Sequence, residues 1–145
     1  MKIDNKKAFF DYEILEKLEA GITLYGAEVK AIRLGHADLS GSFVRIIGSE
    51  AYLVNAKIFP YKYALPEGYD ERRTRKLLLH KNEIISLKSK IEGANLALVP
   101  LSIYTTKGFI KVQIGLGKGK KEYDKRAKIK KRDIQRSVEQ ELQSE

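Results

Sequence analysis

Glycine and lysine alternate in Gly115-Leu116-Gly117-Lys118-Gly119-Lys120-Lys121. Such a run invites a phosphate-cradling loop, because open backbone amides and ammonium groups both bind phosphate oxygens. The pattern fails one position later. A Walker loop needs Ser or Thr after Gly-Lys to hold magnesium, and here Lys121 follows Lys120. The dinucleotide fingerprint belongs in a βαβ unit with an acid about 20 residues on, and this run opens a basic tail instead. It reads as a hinge. His36 and His80 are the only histidines and there is no cysteine. That excludes a disulfide framework, a thiolate metal site and a cysteine nucleophile, and no metal or other cofactor is expected. The acid pairs Asp11/Glu13 and Glu122/Asp124 read as solvated or matched to nearby lysines. No Gly-x-Ser-x-Gly elbow occurs. Nothing assembles a nucleophile, a base and an oxyanion site, so the residues point away from an enzyme.

Charge interleaved with rings is the positive signal. Among 145 residues, 28 Lys and Arg stand against 19 Asp and Glu, a net charge of +9. So large an excess points to a polyanionic partner, with nucleic acid ahead of an anionic membrane. Arg72, Arg73, Arg75 and Lys76 form one cluster, with Tyr61, Tyr63 and Tyr69 just upstream. Basic side chains neutralise phosphates and tyrosine rings stack on unpaired bases. The second cluster is the tail, where residues 118–132 hold nine basic and two acidic residues. Lys118, Lys121, Lys125, Lys128, Arg132 and Arg136 would form one basic stripe on a helix. The opposing apolar set, Ile129, Ile134, Val138 and Leu142, is thin. Such a segment is expected to be disordered when free and helical along an anion.

These groups need a scaffold. Phe9 to Leu24 reads as extended, and Gly26 to Gly35 as a short helix. Ser42 to Ile47 and Ala51 to Phe59 form a hairpin about Gly48-Ser49, with Tyr52, Val54, Ala56 and Ile58 on one face. Pro60 ends the second strand. Residues 61–75 form a charged loop, Leu77 to Leu79 follow, and Ile84, Leu87 and Ile91 mark a helix stopped by Gly93. Leu96 to Tyr104 and Phe109 to Leu116 form a hairpin about Lys107-Gly108. The pattern predicts a mainly β fold of about five or six strands in antiparallel hairpins plus two helices, with a small, partly open barrel as the economical way to hide strand edges. The barrel spans 1–117 and the basic tail 118–145. Apolar runs fall far below the roughly 20 residues of a membrane span. The polar start resembles no signal peptide, so a soluble cytoplasmic monomer without membrane contact is expected. At this level a general RNA-binding or ribosomal structural protein remains an alternative.

Several strings are more specific. Asn5-Lys6-Lys7-Ala8, Asp11-Tyr12-Glu13-Ile14-Leu15-Glu16, Glu19-Ala20-Gly21-Ile22 and Gly26-Ala27-Glu28-Val29-Lys30 resemble the opening of the SsrA-binding protein (small protein B) family. Ile58 to Tyr61, Arg73 to His80, Leu98 to Leu101 and Lys118 to Arg126 continue the resemblance, which reaches about Arg136. It implies a small antiparallel oligonucleotide-binding-like barrel with two to three helices, which binds the tRNA-like domain of transfer-messenger RNA (tmRNA) and takes it to ribosomes stalled without a stop codon. The tail would enter the empty message channel near the small-subunit decoding region. Matching positions tie Asn5, Glu19 and Leu78 to tmRNA binding. Asn5 would offer a donor and an acceptor, Glu19 would accept from a base edge or orient a nearby lysine, and Leu78 would be core or a ring-packing surface. Arg73, Arg75 and Lys76 join them as basic contacts. Gly119, Lys120, Lys121, Asp124, Lys125 and Arg126 match the family's tail strings, with Lys118, Lys128 and Arg132 beside them, and Tyr123 is placed to stack. The resemblance departs at Phe10, where many members carry a histidine.

Overall fold

The computed structural model describes residues 2–60 and 67–120. In order these form β1 (Lys2–Asp4), α1 (Lys6–Asp11), β2 (Tyr12–Ile22), α2 (Gly26–Arg33), β3 (Ala37–Asp38) and β4 (Phe43–Ile47). Then come β5 (Glu50–Val54), β6 (Lys57–Ile58), β7 (Arg75–Leu78), α3 (Lys81–Ala94), β8 (Ala97–Thr106) and β9 (Phe109–Gly119). The sheet order β8-β4-β5-β7-β2-β9 returns to β8, so six antiparallel strands close a barrel. Closure removes the exposed strand edges that invite aggregation. β1 pairs along the remaining edge of β8, and β3 pairs with β6 as a separate ribbon.

Both expected hairpins are present. Gly48 has φ 63° at the first turn. At the second, Lys107 and Gly108 have φ 49° and 80°, the doubly positive geometry that matches strand twist. The barrel core holds Ala20, Leu53, Leu77, Ile103, Val112 and Ile114. Ile32 from α2 and Leu87 from α3 complete it.

Four expectations are corrected. Phe9 and Phe10 are helical, not extended, because Asn5 caps α1: its side-chain oxygen accepts from the Ala8 amide at 3.3 Å. The second hairpin strand buries Ala51 and Leu53, not Tyr52 and Val54. Asn55, at φ 66°, then resets the phase so that Ala56 and Ile58 turn inward. Gly93 lies inside α3, which ends instead at left-handed Asn95.

The fourth correction concerns the glycine run. Gly115, Gly117 and Gly119 all belong to β9, so the strand continues past residue 117. A second small core, Ala8, Val99 and Leu101 with Tyr12 and Ile14, packs outside the barrel beneath α1. A Cβ on Gly115 would stand 2.9 Å from Leu101 Cδ1, and one on Gly117 would stand 3.1 Å from Tyr12 Cβ. These glycines are a flat floor for that core. Leu101 bulges from β8, where pairing skips from Pro100 to Ser102. Asn5 stitches the bulge: its side chain donates to the Pro100 carbonyl at 2.8 Å and its amide to the Leu101 carbonyl at 2.8 Å. Gly115→Val should therefore cost about 1–3 kcal/mol, as overpacking does. A urea midpoint shifted down tests this, and an unchanged midpoint would contradict the floor.

Candidate nucleic-acid interface

The basic cluster on β7 divides by strand parity. Arg75 and Leu77 point inward while Lys76 and Leu78 point out. Arg75 is wholly buried, which corrects its expected contact with RNA. An isolated guanidinium cannot be buried at tolerable cost, so it must be paired. Its partner is Glu28 of α2, also wholly buried. Arg75 Nη2 donates to Glu28 Oε2 at 2.6 Å and Arg75 Nη1 to the Ala56 carbonyl at 2.6 Å. Arg73 Nε donates to Glu28 Oε2 at 3.2 Å, and its Nη2 pairs with Oε1. The Tyr69 hydroxyl donates to Oε2 at 2.8 Å and the Tyr25 amide to Oε1 at 2.9 Å.

This network ties α2, the loop before β7 and β7 itself around one carboxylate. Burial alone pushes the Glu28 carboxyl up. The bonds from Arg73, the Tyr25 amide, Arg75 and Tyr69 outweigh that and hold it below its ordinary 4.5. Burial, then the bond to Glu28, pushes the Tyr69 hydroxyl up to about 12, so it stays a donor. One carboxylate between two guanidiniums leaves one positive charge over. Arg73, partly exposed, carries it to the surface, its guanidinium 4.0 Å from the centre of the half-exposed Tyr25 ring. Arg72 is exposed beside it, and Lys76 reaches Glu50 at 3.0 Å while staying accessible.

Glu19 and Leu78 lie on the outer face of the barrel near this edge. Leu78 is 54% exposed, so it is a surface group and not a core one. It stands opposite Gly21, where a Cβ would come 3.2 Å from Leu78 Cβ. Glu19 is exposed and accepts the Tyr104 hydroxyl. Burial, followed by that bond, pushes Tyr104 up to about 12. Asn5 is placed differently. It is buried, and its oxygen and amide face the chain itself, which corrects the expected direct contact.

A third grouping joins α1 to the end of β9. Lys118 stands opposite Glu13 and Gly119 opposite Tyr12. The Lys120 amide donates to the Asp11 carbonyl at 3.0 Å and its ammonium to the Phe9 carbonyl at 3.2 Å. Phe10, partly buried, therefore shares one end of the molecule with Lys118, Gly119 and Lys120. Lys121, Tyr123, Asp124, Lys125, Arg126, Lys128 and Arg132 lie outside the described residues, as do Tyr61 and Tyr63. Sequence reasoning missed the Glu28 network. Its signal was the acid at the third position of α2, which could have prompted a search for a basic partner.

The closed six-stranded barrel, with cations, rings and an exposed acid on its outer surface, defines a small protein of the oligonucleotide-binding-like class. Its relatives narrow that further. Residues 2–144 match the SmpB protein family, and the chain belongs to it. An SsrA-binding protein of a Sulfurihydrogenibium species is 52% identical over 135 residues, 93% of this chain and 89% of the relative. One from Malacoplasma penetrans is 51% identical over 134 residues, 92% of each chain. One from Fusobacterium nucleatum is 44% identical over 141 residues, 97% of this chain and 95% of the relative. A solved chain described under "tmRNA-SmpB: a journey to the center of the bacterial ribosome" is similar at TM-score 0.69 and 49% identity. That match covers 83% of this chain and 85% of the solved one.

Proposed function

We propose that this protein is a cytoplasmic RNA-binding factor of trans-translation and has no catalytic role of its own. Its barrel binds the tRNA-like domain of tmRNA and carries it to stalled ribosomes. Its tail, 118–145, senses an empty message channel. The observation that carries this reading is likeness over 83% of this chain, at 49% identity, to a chain described with tmRNA and the bacterial ribosome. The physical layout supports it. Arg72, Arg73, Lys76 and the Tyr25 ring offer phosphate and stacking contacts, while Glu19 and Leu78 offer non-phosphate ones. Asn5 acts by positioning, since it fixes α1, and with it Phe10, onto the β8 bulge. Lys118 and Lys120 begin a cationic path that the rest of the tail extends, and a path already filled by message leaves that tail no phosphates to collect.

The test is reconstituted translation of a message lacking a stop codon, with tmRNA present. Tagging of the stalled peptide is expected only when this protein is added. Tagging without it, or none with it, would contradict the proposal.

A further inference from the structure

The outer face of β1, β8, β9 and β2 carries a polar row that the core does not use. Register places Asp4, Ser102, Gln113 and Glu19 side by side across the four strands. The adjacent row, Ile3, Ile103, Val112 and Ala20, belongs to the core side, with Ile103 and Val112 wholly buried. Strand alternation therefore turns the polar row outward.

Within this face lies a cavity of about 420 Å³ lined by Lys2, Ser102, Tyr104, Thr105 and Gln113. Ser102 is only 1% exposed, and among the described residues its hydroxyl has no hydrogen-bond partner. The Thr105 hydroxyl, three positions on along β8, is buried and unpartnered too. Native proteins rarely leave such a group without a ligand or ordered water to satisfy it.

We propose that this cavity receives one unpaired nucleobase of the bound RNA, read by the Ser102 hydroxyl and the Gln113 carboxamide. The proposal rests on the RNA-binding reading above and names where part of that recognition is made. A hydroxyl and a carboxamide each donate and accept, which suits the mixed donor and acceptor edge of a base. The Tyr104 ring gives the cavity an aromatic wall. A phosphate does not fit the same place, because Tyr104 holds the Glu19 carboxylate at its rim and like charges repel. Lys2 at the mouth, 3.6 Å from Asp4, is set to meet the flanking backbone instead.

The decisive variant is Ser102→Ala in the full chain. Its affinity for the labelled tRNA-like domain of tmRNA should fall about five- to tenfold, the worth of one hydrogen bond. Its melting temperature should hold or rise, since no bond within the protein is lost. Unchanged affinity would overturn the proposal and leave the hydroxyl to water. A loss of affinity that merely follows a loss of thermal stability would overturn it too. A second measurement reads the cavity without that RNA. Titration with AMP, GMP, CMP and UMP should produce saturable NMR shifts at the Ser102, Tyr104 and Gln113 amides for at least one nucleotide. No shift there with any of the four would refute the cavity. If wild-type protein fails to bind the tRNA-like domain, the functional reading falls, and the nucleotide titration alone decides this one.

Discussion

Replacing Glu28 with glutamine is expected to destabilise the protein by about 3 kcal/mol or more. The substitution keeps the shape of the side chain and removes its charge. Arg75 is then left wholly buried with no counter-charge, and Arg73 loses its anchor. At this chain length that corresponds to a drop in melting temperature on the order of 10 °C. Glu50, which pairs with Lys76 at the surface, is the control, and Glu50→Gln should leave stability nearly unchanged. Acid gives a second reading of the same group. The native Glu28 carboxyl is held below 4.5, so its stabilising contribution is complete above 4.5 and is lost as pH falls through the lowered native value. Wild type should therefore lose stability on acidification below 4.5 more steeply than Glu28→Gln. Equal melting temperatures for the two proteins at neutral pH would show that the network is not structural.

The second large effect concerns the tail. Ending the chain after Lys120 should abolish tagging of stalled peptides, a loss of about 100-fold or more, as expected when many phosphate contacts vanish. Binding of the tRNA-like domain should stay within about threefold, because the barrel's contacts remain. The cut is chosen from the fold. β9 ends at Gly119, and the Lys120 amide still reaches Asp11, so no described strand pairing is broken. Equal loss of tagging and of RNA binding would contradict the division of labour between barrel and tail. Phe10 lies between the two, and Phe10→Ala should impair tagging more than RNA binding.

The hairpins and α2 were legible because turn residues and alternation act locally, while the barrel, expected partly open, closes because β9 pairs with both β2 and β8. Gly48 and the Lys107-Gly108 pair announce their turns by the backbone angles they tolerate. What escaped depended on distant partners. The glycines of β9 look like a hinge until Leu101 and Tyr12 are placed over them. Arg75 looks like its basic neighbours, and only strand parity and an acid 47 positions away turn it inward. Asn5 looks like an exposed recognition residue, yet β8 brings the Pro100 and Leu101 carbonyls to it. Glu19 and Leu78, in contrast, are exposed, as a recognition role requires. Resemblance named candidate positions, but it could not say which are exposed to a partner and which are buried holding others in place.

A gel shift with the labelled tRNA-like domain of tmRNA, at near-physiological salt and with excess ordinary tRNA, tests the central claim most directly. Charge alone binds any RNA and yields to any competitor. A barrel that reads one folded RNA keeps its complex. The complex is expected to survive the competitor. If ordinary tRNA strips it away, the net charge of +9 accounts for the binding and the protein is a general RNA binder.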